Sequence, residues 1–67
     1  MKLTINNKIY QLESDIIILS DLLKKYSLNP KNVIVECNNK IVKQEKFEIY
    51  NLNENDIINI FSFVGGG

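Results

Sequence analysis

Histidine, arginine and tryptophan are absent from this chain of 67 residues, and cysteine, methionine and proline occur once each. Each absence excludes something. Without His the chain lacks the commonest general base and the commonest metal ligand. One Cys rules out disulfide frameworks, zinc clusters and CxxC redox pairs. The 8 basic residues, all Lys, balance 8 acidic ones, so formal net charge is zero. A protein that binds nucleic acid through its phosphates needs a basic face, which this composition does not supply. The longest apolar run is Ile16-Ile17-Ile18-Leu19, far short of a membrane-spanning helix. The N-terminus shows strand-like alternation and not the charged and apolar regions of a signal peptide. With the lone Cys, this predicts a cytoplasmic protein. Glycine is scarce in an unusual way: there are 3, and they are Gly65, Gly66 and Gly67.

What is present is an ordinary globular composition, 45% hydrophobic and 24% charged. A chain of this length forms one domain. It buries only about 60% of its unfolded surface and has little room for a deep pocket. Lys2-Leu3-Thr4-Ile5 alternates with period two, as a half-buried strand does. Asn6-Asn7 suits a tight hairpin turn, and Lys8 to Leu12 reads as the returning strand. Leu19, Leu22, Leu23 and Tyr26 fall on one helical stripe. Asp21 near its start and Lys24 and Lys25 near its end suit the helix dipole. Asn29-Pro30 is the expected terminator. Val33 to Cys37 is a second strong strand, followed by an Asn38-Asn39 turn and a short strand Lys40-Ile41-Val42. Lys43 to Asn51 reads as irregular or one 3₁₀ turn, anchored with Leu52 by Phe47 and Ile49. Ile57 to Phe63 is the last strand.

One helix covers one face of such a sheet and leaves the other open. The covered face is expected to hold Leu3, Ile5, Tyr10, Leu12, Leu22, Leu23, Val35, Ile58 and Ile60. The open face is expected to carry Ile34, Ile57, Phe61 and Phe63, an apolar patch large for so small a domain.

Catalytic machinery is not visible. Cys37 is the one strong nucleophile, but it shares the inward face with Val33 and Val35, and no His can activate it. Glu45, Glu48, Glu54 and Asp56 read as solvated loop carboxylates. No phosphate-binding loop or metal-ligand spacing occurs. What remains is the terminus. Asn serves the turns, so Gly is reserved for the end. A Gly run has no side chains and can thread a narrow channel in another protein. It presents an unhindered α-carboxylate, at the entropic cost of ordering Gly on binding. A tail with its reactive atom at the tip suits a carried group better than an active site.

The ββαββ(loop)β order, Asn38-Asn39-Lys40-Ile41-Val42, Asn55-Asp56-Ile57-Ile58-Asn59-Ile60 and Gly65-Gly66-Gly67 together resemble the sulfur carriers of thiamine biosynthesis, the ThiS family. The resemblance spans Met1 to Gly67. It departs from the family in having Asn39 and Asn55 where Gly is usual, Phe47 where Trp is frequent, and no Thr cap near Ile18. It implies an α+β fold of the ubiquitin-like β-grasp type: a mixed four- to five-stranded sheet with one helix on one face, and the first and last strands parallel at its centre. It divides the chain into a domain of residues 1–64 and a flexible tail of residues 65–67. It further implies that an E1-like, ThiF-type adenylyltransferase docks on Ile34, Ile57, Phe61, Phe63 and Val64 and uses ATP to adenylate the Gly67 carboxylate. Gly65 and Gly66 thread the partner active sites. Sulfur derived from cysteine by a desulfurase gives a Gly67 thiocarboxylate, which a ThiG-type thiazole synthase consumes. No cofactor or metal is bound and the chain is not itself an enzyme. Competing readings are a molybdopterin-synthase sulfur carrier, a ubiquitin-like modifier, and a plain β-grasp interaction module.

Overall fold

The computed structural model describes residues 1–63. The boundary expected after Val64 and the tail of residues 65–67 lie outside the described residues.

Asparagine pairs set the hairpins. Asn6 and Asn7 have φ of 49° and 71°, and Asn38 and Asn39 have 53° and 71°. Two successive positive φ values make the turn whose twist matches paired strands. The first pair joins β1 (Lys2–Ile5) to β2 (Lys8–Gln11). The second joins β3 (Val33–Cys37) to β4 (Lys40–Val42). The last strand is β5 (Ile57–Ser62), and the five form one sheet in the order β2-β1-β5-β3-β4. β5 runs parallel to β1, with Ile58 beside Ile5, and antiparallel to β3, with Ile60 beside Val35. The expected mixed sheet with parallel central strands is therefore present.

The helix α1 (Leu19–Lys25) covers one face. Leu19, Leu22 and Leu23 pack with Leu3, Ile5, Leu12, Val35 and Ile58 in a single core cluster. Tyr10 and Ile60 are only partly buried at its margin. Phe47 and Leu52 are buried as expected, Phe47 closing the second 3₁₀ turn, Gln44–Lys46, and Leu52 donating its amide to Ile17 O at 2.9 Å. Ile49 is not an anchor: it is 66% exposed.

The helix start is capped by a carboxylate and its end comes earlier than expected. No Thr or Ser caps the start, but the Asp21 carboxylate accepts from the Ile17 and Ile18 amides at 3.1 Å each. It acts as the acidic half of a capping box. These backbone bonds, that from Ile18 foremost, hold the Asp21 carboxyl below its ordinary range. The end comes before Asn29-Pro30. Ser27 adopts φ 56°. Its amide donates to Lys24 O at 3.0 Å and that of Leu28 to Leu23 O at 2.8 Å, the two bonds of a Schellman cap. Asn29 instead caps the first 3₁₀ turn, Pro30–Asn32, by accepting from the Lys31 amide. Gly is the natural residue at the Ser27 position. Relief of left-handed strain, about 1–2 kcal/mol, outweighs the extra chain entropy of Gly, about 0.5–1 kcal/mol. Ser27→Gly is therefore expected to raise the thermal midpoint by a few degrees, read by calorimetry.

Asp56 also departs from expectation. It is buried, not a solvated loop carboxylate. Its oxygens accept from the Asn53 amide at 2.8 Å and the Asn38 side-chain amide at 2.9 Å. The Asn38 side-chain oxygen accepts from the Ile57 amide at 3.0 Å. A buried carboxylate requires such partners. The network ties the β3–β4 turn to the start of β5.

Candidate functional site

The face of the sheet opposite α1 is the candidate site. Alternation along β5 turns Ile58 and Ile60 toward the helix, and Ile57, Asn59 and Phe61 away from it. Across the β3–β5 ladder Ile34 stands beside Phe61, and across β1–β5 Thr4 stands beside Ile57. Ile34, Ile57, Phe61 and Phe63 are each between 46% and 53% exposed. Phe63 follows β5, and its amide donates to Asn32 O at 3.0 Å. Val64, Gly65, Gly66 and Gly67 lie outside the described residues.

Two residues extend the patch beyond the sequence expectation. Ile9 on β2 and Ile41 on β4 are 70% and 67% exposed. Ile9 pairs with Thr4 and Ile41 with Glu36, so the face carries apolar side chains on β2, β5, β3 and β4. The signal for both was available. Tyr10 and Leu12 point toward the core, so Ile9, one residue before Tyr10, points away. The same parity places Ile41 next to the buried Val42. A row of exposed large apolar side chains is the mark of an interaction surface.

Cys37 is 2% exposed, and burial is the main cause pushing its thiol pKa up. It is therefore expected to resist a thiol reagent in the native protein at neutral pH and to react at the rate of unfolding. Timed labelling with and without denaturant checks this. Among the described residues no group of His, Cys, Asp and Glu side chains could hold a metal ion. A groove of about 320 Å³ lies on the helix side, lined by Leu23, Leu28 and Phe47 with Ser20, Lys24 and Gln44 among its polar residues. None of the open-face residues line it, and although Ser20, Lys24 and Glu48 all border it, no described hydrogen bond joins Ser20 to either.

No helix among the described residues is long and apolar enough to cross a membrane. The arrangement is therefore a small domain that exposes an apolar sheet face, with its last strand leading from that face toward the terminal glycines. Known proteins are similar to it in sequence and in fold. The sulfur carrier protein ThiS of Bacillus subtilis is 40% identical over 65 residues, covering 97% of this chain and 98% of that protein. The crystal structure of the thiamine biosynthesis protein ThiS from Geobacter metallireducens superposes with a TM-score of 0.83 at 26% identity, over the full length of both chains. The solution structure of a thiamine biosynthesis protein from the same organism gives 0.80, over all of this chain and 88% of that one. The ThiS family model matches residues 3–67. The chain belongs to the ThiS family, the sulfur carrier proteins of thiamine biosynthesis.

Proposed function

We propose that the chain carries sulfur as a thiocarboxylate on Gly67, and that it is a substrate of its partners, not a catalyst. The observation that carries this reading is the course of β5. Phe61 on β5 and Phe63 just after it are exposed, on the segment that precedes Val64-Gly65-Gly66-Gly67 in the sequence, and the family match continues through Gly67.

An α-carboxyl group has a pKa of about 3.5 and is an anion at neutral pH. A carboxylate is a poor acyl donor until one oxygen becomes part of a good leaving group. An E1-like adenylyltransferase of the ThiF type supplies that change. A Gly67 carboxylate oxygen attacks the α-phosphorus of ATP, and pyrophosphate leaves. A sulfide equivalent, drawn from cysteine as a persulfide by a desulfurase and released from it by a thiol that ends in a disulfide, then attacks the acyl carbon. AMP leaves with the oxygen, and the thiocarboxylate anion remains. A ThiG-type thiazole synthase takes the sulfur into the thiazole ring. Ile34, Ile57, Phe61, Phe63 and Val64 anchor the docked domain, joined by Ile9 and Ile41. Gly65 and Gly66 add no side chain to the channel they thread. The cytoplasm, where the lone thiol stays reduced, is the compartment this chemistry needs.

Complementation tests the reading. The chain is expected to restore growth without thiamine to a bacterium lacking its own thiamine sulfur carrier. It is expected not to restore molybdenum-enzyme activity to one lacking the molybdopterin carrier. The reverse pattern assigns the carrier to the other pathway and overturns the thiamine assignment.

A further inference from the structure

β5 outruns its parallel neighbour. β1 ends at Ile5, beside Ile58, while β5 continues to Ser62. On that side the backbone groups of Ile60 have no strand to pair with, and an unpaired edge frays. The side chain of Asn6 fills the gap. Its oxygen accepts from the Ile60 amide at 2.8 Å and its nitrogen donates to the Ile60 carbonyl at 3.2 Å. Its own backbone amide donates to Ile58 O at 2.9 Å. One amide side chain thus copies the next rung of the ladder. On the opposite side β3 holds the strand through Ser62, and Asn32 holds the Phe63 amide.

We propose that Asn6 is a positioning residue for the chemistry at Gly67, an inference that rests on the carrier function proposed above. The two-sided grip makes Phe63 the fixed point from which the remaining four residues reach. Fully extended, four residues span only about 14 Å, so the terminus has little slack to absorb a shift in its origin. A partner docked on the open sheet face is registered to the same strand. Loosening β5 at Ile60 therefore blurs the distance between docking face and reacting carbon. This lowers the fraction of docked complexes with that carbon in place, while the apolar contacts that set affinity stay.

The test compares two glycine variants of the full chain. Asn6→Gly keeps the positive φ and removes both side-chain bonds to Ile60. Asn38→Gly makes the equivalent change in the other hairpin and removes its bonds to Asp56 and Ile57. That change destabilises the domain without touching Ile60. Thiocarboxylate formation is measured with the activating enzyme, ATP and a sulfide source, at a temperature where both variants are folded by circular dichroism. Asn6→Gly is expected to lower kcat about tenfold, to leave KM for the carrier within about twofold, and to speed hydrogen exchange of the Ile60 amide. Asn38→Gly is expected to retain the wild-type kcat. Wild-type kcat in Asn6→Gly, or an equal loss in Asn38→Gly, overturns the proposal alone. A wild-type chain that takes up no sulfur overturns the carrier reading and this proposal with it.

Discussion

A chain ending at Gly65 is expected to fold as stably as the full chain and to accept neither AMP nor sulfur. Stability is retained because, among the described residues, every buried core residue lies between Leu3 and Ile58. The described hydrogen bonds that hold β5 end at Phe63. Activity is lost because the removed residues supply reach, not affinity. Two extended residues account for about 7 Å, and a carboxylate withdrawn by that distance cannot meet the α-phosphorus of a bound nucleotide. Displacements far smaller than this cost orders of magnitude in rate. Docking is expected to survive, because the open face remains. The truncated chain therefore becomes a competitive inhibitor of the activating enzyme. The checks are a melting curve, an ATP–pyrophosphate exchange assay, and inhibition of the full chain by the truncated one. Full exchange activity in the truncated chain would remove Gly67 from the mechanism.

Phe61→Asp is expected to weaken docking on the activating enzyme at least a hundredfold, with only a small loss of stability. Phe61 sits beside Ile34 on the open face and is about half exposed in the free protein. Burying an unpaired carboxylate against an apolar partner costs several kcal/mol, and truncating a central aromatic anchor costs about 2 kcal/mol or more by itself. The folded domain feels mainly the lower strand preference of Asp, a difference of about 1 kcal/mol at most. Ile49→Asp provides the control. Ile49 is more exposed than Phe61 but lies outside the sheet, and the substitution is expected to leave affinity unchanged. Calorimetric titration of the activating enzyme with each variant checks the pair. Equal affinities for Phe61→Asp and wild type would move the docking surface elsewhere.

Local rules made most of the framework legible. The Asn pairs at positions 6–7 and 38–39 mark turns because Asn tolerates positive φ, and both pairs adopt it. Period-two alternation assigned Leu3, Ile5, Val35 and Ile58 to the core and Ile34, Ile57 and Phe61 to the open side, as observed. What escaped depended on distant partners. Asp56 reads as part of a polar loop until the β3–β4 turn brings Asn38 against it. The bond between Asn6 and Ile60 spans 54 positions, and nothing local to either residue announces it. The helix end was misplaced because Pro30 is an obvious breaker. Ser27 is not an obvious left-handed residue, yet it makes the cap. The terminus proposed to react stands out in the sequence for a different reason. A sequence that places Asn or Ser at all six described positive-φ positions has Gly to spare only for its end, where a missing side chain is itself the useful property.

The central claim is that Gly67 carries the sulfur. Intact mass spectrometry after incubation with ATP, the activating enzyme and a sulfur source tests it most directly, with fragmentation of the C-terminal peptide. The account predicts a mass increase equal to the exchange of one oxygen for one sulfur, located on Gly67 and absent without ATP. Sulfur found on Cys37, or an unchanged mass with enzymes active on another carrier, would contradict it.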